Sequence, residues 1–416
     1  MTATAAAGSK SIASVADIRG RFPALARRHN GHPVAYMDGP GGTQMPREVV
    51  DAMGEYLFHH NANTHWNYPT SAETDAMILD ARGALADFLG ARPDEVAFGA
   101  NMTTLTFHLA RALARGWSKG DEVVITELDH HANVAPWRAI EVERGIRVVT
   151  ARMKPAEGVL DMEDLAAKVG PRTKLVAIGA ASNALGTVTD VRRAADLAHR
   201  AGALVFVDAV HYAPHELVDV AALDCDFLAC SAYKFYGPHI GVLWGRRALL
   251  DALDAPKLAP APDESPEKLE TGTQNHEGIV GAAAAVNFLA SLAPGNGGRR
   301  EQLRRAFDGL HGRGEALLHQ LWAGLESVPG VTLYGCPPGM KRTPTVAFTL
   351  AGRPADAIAG SLAAEGLFCS HGDFYAATVI ERLGVGDAGV VRVGCSVYTT
   401  DEEIARVVAA VTRIAP

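Results

Sequence analysis

Short apolar segments alternate with longer amphipathic segments between about residue 96 and residue 245. Apolar runs bounded by turn residues are typical of buried strands, and helical periodicity in the segments between them indicates helices. The pattern predicts seven strands, at Val96–Phe98, Val123–Thr126, Arg147–Thr150, Leu175–Gly179, Leu204–Asp208, Phe227–Cys230 and Val242–Trp244. The helices predicted between them include Thr103–Arg115, Asn133–Glu143, Met162–Val169 and Val191–Arg200. This alternation predicts an α/β fold with a mostly parallel seven-stranded sheet flanked by helices.

The segments on either side predict a second, smaller unit. Residues 1–14 are small and polar and predict a loose tail, and Val15–His29 predicts a short helix interrupted at Pro23. Ser71–Leu89 predicts a helix opened by a capping box at Ser71 and Thr74. The C-terminal elements are four helices, Ile279–Leu292, Arg299–Leu325, Pro354–Glu365 and Asp401–Ile414, and four strands, Val331–Tyr334, Thr345–Leu350, Leu367–Ser370 and Val390–Val393. We therefore expect a large domain over residues 31–279 and a smaller α+β domain over residues 280–416, with residues 1–30 packing on the small domain.

Composition narrows the possible partners and the compartment. The net charge of −8 is spread along the chain without a basic run, so nucleic acid and anionic membranes are not expected partners. No apolar run has the length of a membrane span, and the N-terminus lacks the apolar region of a signal peptide. The five cysteines form no CxxC pair and no metal-ligand spacing. These features predict a cytoplasmic protein with reduced thiols and no metal.

Polar groups follow five of the seven strands of the predicted sheet. In open parallel sheets a ligand binds beyond the carboxyl ends of the strands, so these groups should meet. They are Asn101-Met102-Thr103, Asp129-His130-His131, Ser182-Asn183, Asp208 with His211, and Ser231 with Lys234. Their convergence predicts a site for a polar aromatic ligand.

Lys234 and Asp208 give this site its chemistry. A lysine between two aromatic residues at a strand end is partly desolvated, which favours the neutral, nucleophilic amine. A lysine that forms a Schiff base and an acid that protonates a pyridine nitrogen are the two groups that pyridoxal 5'-phosphate (PLP) requires. Neither residue is specific by itself, because a solvated lysine and an aspartate at the end of a strand are both common in proteins without a cofactor.

The other strand-end groups suit the same ligand. A helix that starts at Met102 and Thr103 directly after a strand offers free N–H groups for phosphate, although a threonine can also cap a helix without any ligand. His130 could stack on a pyridine ring, and Asn183 could donate to a phenolic oxygen or a substrate carboxylate, but each also suits a plain turn. Arg392 ends a strand and could bind a carboxylate with both guanidinium nitrogens.

These residues lie in segments that together resemble the class V aminotransferases of PLP fold type I, in the branch of the cysteine desulfurases and selenocysteine lyases. The resemblance runs from about Phe22 to Glu403. Its segments, in order, are FPAL, VAYMDGPGGTQMP, NANTH, FGANMTTLT, DHHANVAPW, SNALGTVTDV, FVDAVHYAPH, SAYKFYGPHIGVLWG, ETGTQN and VRVGCSVYTTDEE.

The resemblance implies a role for each matching residue. Lys234 binds the cofactor covalently, Asp208 meets the pyridine nitrogen, and His130 stacks on the ring. The phosphate is held by the Met102 backbone, Thr103 and Ser231, with Thr273 reaching the phosphate of the other subunit. The Tyr233 hydroxyl, at a position where this chain departs from the family, could still reach the phosphate. His211 lies beside the phenolic oxygen, and Asn183 and Arg392 face the substrate carboxylate. The family forms homodimers with shared active sites.

Three positions depart from the desulfurases. The histidine before the lysine is Tyr233 here, and an arginine of the family aligns with Cys369. The nucleophilic cysteine of the desulfurases aligns with Tyr375, and a phenol with a pKa near ~10 cannot accept sulfur as a persulfide. These departures resemble a subgroup called cysteine desulfurase-like.

We therefore expect a cytoplasmic, homodimeric PLP enzyme acting on an amino acid, with β-elimination of a sulfur substituent (C–S lyase chemistry) as the first interpretation. Transamination, desulfuration with a relocated thiol, and a catalytically silent PLP-binding partner remain alternatives. The sequence does not fix the substrate, the roles of Tyr375 and Cys369, or the involvement of a sulfur-acceptor protein.

Overall fold

The structure, a computed structural model, describes residues 12–416, so the first eleven residues of the predicted tail lie outside the described residues. All seven predicted strands are present and form one sheet, which confirms the predicted α/β fold. They are β1 (Val96–Gly99), β2 (Glu122–Thr126), β3 (Arg147–Ala151), β4 (Thr173–Gly179), β5 (Leu204–Asp208), β6 (Phe227–Ser231) and β7 (Gly241–Gly245). The strand order is β1-β7-β6-β5-β4-β2-β3, with β7 antiparallel to both of its neighbours. The other strands are parallel, so their polar carboxyl ends share one edge.

The two faces of this sheet are covered by different apolar clusters. Along β5, Val205 and Val207 belong to one cluster and Phe206 belongs to the other. Successive side chains of a strand point to opposite faces, and continuous apolar strands are typical of a sheet buried on both sides. The helices of this region are Met102–Ala114, Ala135–Arg144, Met162–Lys168, Val191–Arg200, Val220–Leu223 and Arg247–Ala252.

A second sheet lies in the C-terminal part of the chain. Its strands are β8 (Val331–Tyr334), β9 (Thr345–Leu350), β10 (Ser370–Gly372) and β11 (Val390–Gly394), in the antiparallel order β8-β9-β11-β10. The helices of this part are Arg299–Glu326, Ala355–Ala364, Ala377–Leu383 and Asp401–Ile414. The predicted strand Leu367–Ser370 is divided, because Leu367–Phe368 pairs with Ala35–Tyr36 while Ser370 pairs with Arg392 of β11.

The remaining helices pack around the large sheet. They are Val15–Gly20, Arg47–Glu55, Pro69–Leu89 and His276–Ser291, with a 3-10 turn at Pro23–Ala26 after the first of them. Phe22 packs edge-on against Tyr236, Phe288 and Tyr398, which joins the N-terminal segment to both halves of the chain. The helix His276–Ser291 packs on Pro69–Leu89. The domain boundaries at residues 30 and 279 stay a prediction.

The predicted capping box at Ser71 is wrong. The helix begins at Pro69, and Tyr68 precedes it without a side-chain cap. The Ser71 hydroxyl instead donates to the Asn63 carbonyl (2.6 Å) and accepts from the Trp66 N–H (2.9 Å). Thr74 donates to the His60 carbonyl (2.9 Å). Both hydroxyl groups therefore hold the preceding loop against the helix.

None of the helices between residues 12 and 416 combines the length and apolar character that crossing a membrane requires.

Candidate active site

Lys234 lies in a tight turn between β6 and β7. A 3-10 turn over Ala232–Lys234 follows β6 directly and leaves the residue 8% exposed. Its Nζ donates to the carbonyl of Pro40. Burial, followed by the charge of Arg392, lowers the pKa of the amine to about 7, while Asp38 and Asp208 act in the opposite direction. The amine is therefore neutral in a large fraction of molecules at pH 7.

Asp208 ends the neighbouring strand β5 and is 7% exposed. Burial raises the pKa of this carboxyl to about 6. Two weaker effects act to lower the pKa: the Val210 N–H donates to Oδ1 (2.9 Å), and Lys234 is a nearby charge. The group is ionised in most molecules above pH 7. A protonated ring nitrogen beside it would favour that ionised form further.

The start of helix Met102–Ala114 contacts the end of β6, the strand that precedes the Lys234 turn. The Met102 N–H donates to the Ser231 hydroxyl (3.0 Å), which brings these two groups together. The helix is capped by Asn101, whose Oδ1 accepts from the Thr104 N–H (2.9 Å) and hydroxyl (3.0 Å), and not by a threonine. This leaves Thr103 on the cavity wall, at the positive end of the helix dipole.

His130 is held as a neutral imidazole at the end of the next strand. Its Nδ1 accepts from the Ala132 N–H (3.0 Å), so Nε2 carries the proton. Burial, followed by the charge of Lys234, lowers its pKa to about 4. A neutral ring suits stacking on a second heterocycle better than a charged one.

These groups surround one cavity of about 640 Å³. Nine of the ten residues predicted to bind the cofactor line it: Met102, Thr103, His130, Asn183, Asp208, His211, Ser231, Tyr233 and Lys234. The tenth, Thr273, is exposed and lines a separate surface cavity with Trp66 and Gln274. Within one chain the structure therefore brings together all of the predicted cofactor groups except the one expected to act across subunits.

A second cavity, of about 540 Å³, adjoins the first. Thr103, His130, Asn183, Tyr233 and Lys234 line both. The residues that line only the second include the other two predicted substrate residues, Arg392 and Tyr375, together with Phe374, His131 and Pro40. We call the first cavity the inner cavity and the second the outer cavity.

Arg392 is 3% exposed and held by three oxygen atoms. Its guanidinium donates to the Asn183 carbonyl (2.9 Å), to Asp38 Oδ1 (3.0 Å) and to the Ser370 hydroxyl (3.0 Å). Its Nε is buried without a partner, and the ring of Phe374 lies 4.0 Å from Cζ. An oriented guanidinium with a free donor suits a planar carboxylate.

The segment Gly372–Ala376 covers the outer cavity in a strained conformation. Phe374 (φ 54°) and Tyr375 (φ 56°) both adopt left-handed backbone, which is costly for residues with large side chains. Three hydrogen bonds support it: the Asn183 amide donates to the Phe374 carbonyl (2.9 Å), the His131 N–H to the Tyr375 carbonyl (2.7 Å), and the Tyr375 N–H to Asp373 Oδ1 (2.9 Å). The Tyr375 side chain is left 73% exposed, with its ring 5.6 Å from that of His130.

No cysteine lines either cavity among the described residues, which include all five. Cys225, Cys230, Cys336 and Cys395 are buried, and Cys369 is partly exposed. Cys369 packs against the apolar core of the small sheet. Its thiol is buried enough to raise its pKa to about 12, so thiolate is scarce at neutral pH.

The sequence reading missed Asp38, Pro40, Ser370 and Phe374. Asp38 and Pro40 belong to the glycine-rich turn before residue 43, whose density of glycine was the available signal. Phe374 and Ser370 gave no signal, because their roles depend on contacts with Asn183 and Arg392 that are distant in sequence. Asp129 does not line the inner cavity; its carboxylate accepts from the Gly179 and Thr126 N–H groups and ties two strand ends together.

The inner cavity fits PLP. Its polar lining includes two buried atoms without a partner, Asn183 Oδ1 and His211 Nδ1, where the sequence predicted the phenolic oxygen of the cofactor. A donor-rich helix start lies on the same wall, and Asp208 and Lys234 both reach the cavity. The fold is that of PLP-dependent enzymes of fold type I.

Comparisons with known proteins place the chain in a family of such enzymes. The family model described as Aminotransferase class-V matches residues 35–407. The chain is 33% identical over 415 residues to a cysteine desulfurase of Pectobacterium atrosepticum, covering 95% of this chain and 97% of that protein. It is 32% identical over 422 residues to a cysteine desulfurase of Escherichia coli K12, covering 97% and 98%.

Solved structures give the same result. The apo structure of a cysteine desulfurase from Thermococcus onnurineus has a TM-score of 0.86 at 28% identity, covering 96% of this chain and 98% of that one. The cysteine desulfurase CsdA of Escherichia coli has a TM-score of 0.84, also at 28% identity, covering 97% and 98%. The chain belongs to the class V aminotransferase family, in its cysteine desulfurase-like branch, and is a PLP-dependent enzyme.

Proposed function

We propose that this enzyme catalyses β-elimination from an amino acid that carries sulfur on its β-carbon. The observation that carries the proposal is the outer cavity itself: Tyr375 lines it, and no cysteine does among the described residues. Desulfuration requires a thiolate that attacks the substrate sulfur, whereas elimination requires a base at Cα and a leaving group at Cβ. The groups present suit the second reaction.

Residues of the inner cavity would hold the cofactor. The Met102 N–H, Thr103, Ser231 and Tyr233 suit its phosphate, His130 its ring face, and Asp208 its ring nitrogen. Bound PLP supplies an electron sink for negative charge at the substrate Cα. Asp208 keeps the ring nitrogen protonated, which strengthens that sink.

Arg392 binds the substrate, and Lys234 acts as the base at its Cα. The free Nε of Arg392 suits the substrate carboxylate, with Asn183 beside it, and this contact would fix the amino acid near Lys234. The Lys234 amine takes the Cα proton, a task that its lowered pKa of about 7 suits at neutral pH. As the Cβ–S bond breaks, its electron pair leaves with sulfur, and the Tyr375 hydroxyl can position the leaving group or donate its proton. Hydrolysis of the released enamine then gives pyruvate and ammonium.

We also propose a cytoplasmic homodimer with shared active sites. In support, Phe58, Trp66 and Leu258 are large apolar residues more than half exposed, and two of them line the surface cavity that contains Thr273. Exposed apolar surface of this kind is typical of an interface. Contact with a second copy would bring Thr273 towards a phosphate site that it does not reach within one chain.

A product analysis tests the reaction. The holoenzyme is incubated with cysteine, S-substituted cysteines and other amino acids, and pyruvate, ammonium, sulfide or thiol, alanine and other keto acids are measured together. We expect pyruvate, ammonium and sulfide or thiol in equal amounts, and none of them with Lys234→Ala. Alanine with enzyme-bound sulfur would indicate desulfuration, and a keto acid that retains sulfur would indicate transamination; either result would overturn the proposal.

A further inference from the structure

The outer cavity is larger and more aromatic than a small amino acid needs. Its volume of about 540 Å³ falls within the range of roughly 300–1,000 Å³ that is typical for drug-sized ligands. Phe374, Tyr375 and Tyr233 line it together with His130 and His131. Phe374, Tyr375 and His131 line only the outer cavity, so they stay available to a substrate when the cofactor occupies the inner cavity.

The lining of the outer cavity carries one permanent cation, Arg392, beside the Lys234 amine. Lys234 and Arg392 line it, and no carboxylate does among the described residues. The structure thus offers a partner for a substrate carboxylate but none for a positively charged substituent. The rest of the lining includes aromatic side chains and the small side chains of Ala132 and Ala135.

Phe374 and Tyr375, in the segment Gly372–Ala376 that covers the outer cavity, adopt an unfavourable backbone conformation. Left-handed backbone is costly for residues other than glycine, and Phe374 and Tyr375 adopt it in succession. The result is a tyrosine whose ring is 73% exposed at the cavity mouth. A ligand with an aromatic group would cover that ring.

We infer that the substrate is a cysteine whose sulfur carries an aryl group, with the aryl ring packed against Tyr375 and Phe374. This inference rests on the proposed elimination and specifies its substrate class. The reaction is ArS–CH₂–CH(NH₃⁺)–COO⁻ + H₂O → ArSH + pyruvate + NH₄⁺. The Cβ–S bond breaks, sulfur keeps the electron pair and gains a proton, and water supplies the carbonyl oxygen of pyruvate. An aryl thiolate also leaves faster than an alkyl thiolate because its thiol has a lower pKa.

The first test is kinetic and uses the holoenzyme with S-phenylcysteine, S-methylcysteine and cysteine. We expect kcat/KM for S-phenylcysteine to exceed that for S-methylcysteine by about tenfold or more. Tyr375→Ala should reduce this ratio by about three- to tenfold, the usual size of one aromatic contact, while Tyr375→Phe, which keeps the ring, should not reduce it. Val142→Ala, at a residue 87% exposed and outside both cavities, is the control and should leave the ratio unchanged.

The second test measures binding without turnover. The ligands are 3-(phenylthio)propanoate and 3-(methylthio)propanoate, which carry the carboxylate and thioether but lack the amino group that reacts with the cofactor. Calorimetry should show tighter binding of the phenyl compound to wild type and to Tyr375→Phe, and loss of that preference in Tyr375→Ala.

The two tests separate the inference from the proposed reaction. Equal kcat/KM for S-phenyl- and S-methylcysteine, with equal binding of the two acids, would overturn the aryl substrate class while elimination stands. A phenyl preference in binding that depends on Tyr375, with products other than thiol and pyruvate, would support the aryl site and overturn elimination.

Discussion

Lys234 and Asp208 are buried side by side in the inner cavity, and burial shifts their pKa values in opposite directions. The pKa of the amine falls to about 7 and that of the carboxyl rises to about 6. At pH values from about 7 upwards, the neutral amine of Lys234 and the ionised carboxylate of Asp208 are therefore present together. At the scale of single residues, this pair defines the working pH of the site.

The lowered pKa of Lys234 predicts the pH dependence of cofactor attachment. Only the neutral amine attacks the cofactor aldehyde, so the rate at which the apoenzyme binds PLP covalently should rise through pH 7 and level off above about pH 8. A lysine with an ordinary pKa of about 10.4 would keep gaining rate up to pH 10. Borohydride reduction followed by peptide mass mapping should find the adduct on Lys234. An adduct on another lysine, or a rate that still rises above pH 9, contradicts the assignment.

Asp208→Asn tests the second member of the pair. The neutral amide cannot stabilise a protonated ring nitrogen, so kcat should fall by about a hundredfold or more. Asp254→Asn, at an exposed carboxylate outside both cavities, is the control and should leave kcat unchanged. Measured kcat within about threefold of wild type for Asp208→Asn would show that Asp208 is not the ring partner.

At the scale of elements, the start of β7 lies directly against the start of helix Met102–Ala114. A Cβ on Gly241 would lie 2.7 Å from the Asn101 Cα, and backbone cannot yield as a flexible side chain can. The glycine therefore allows the strand and the helix start to meet at the expected phosphate site.

Gly241→Ala should displace this helix start. We expect a loss of about 1–3 kcal/mol in the free energy of unfolding and weaker PLP binding, measured by denaturant titration and by cofactor release. Gly83→Ala is the matched control: it lies within helix Pro69–Leu89 with nothing near its added Cβ, and should be neutral or stabilising by up to about 1 kcal/mol. Equal behaviour of the two variants would contradict the close-approach argument.

The elements differ in how far their sequences determine them. The seven strands of the large sheet were predicted because each contains a short apolar run, which is buried on both faces in all of them except the edge strand β3. The prediction of a single strand over Leu367–Ser370 was wrong, because its two ends pair with different strands and hydrophobic periodicity does not reveal pairing partners. The capping box at Ser71 was wrong because the same hydroxyl bonds the preceding loop. The left-handed turn at Phe374–Tyr375 was not predicted, since its support comes from Asn183, His131 and Asp373.

At the scale of the whole molecule, the inner cavity is assembled by strand ends that are far apart in sequence but adjacent in the sheet. The parallel order of the strands made their meeting predictable. The contacts of Arg392 with Asp38 and Ser370 were not predictable, because they join three separate segments. Thr273 is the predicted group that one chain does not bring to the site.

Thr273 should act across a dimer interface. Lys234→Ala and Thr273→Ala chains are each expected to be impaired, the second less severely. Mixed and exchanged, they form heterodimers in which one site carries neither defect, so activity should return towards a quarter to a half of wild type. Native mass spectrometry verifies subunit exchange. No recovery after verified exchange would argue that each site is built from one chain.

The measurement that tests the central claim most directly is the intact mass of the enzyme after incubation with cysteine. A thiol that accepts substrate sulfur gains about 32 Da as a persulfide, whereas elimination leaves the protein unmodified. We predict no such adduct on wild type, with unchanged turnover in Cys369→Ala. A sulfur adduct on Cys369, lost together with activity in Cys369→Ala, would contradict elimination and establish desulfuration through a relocated thiol.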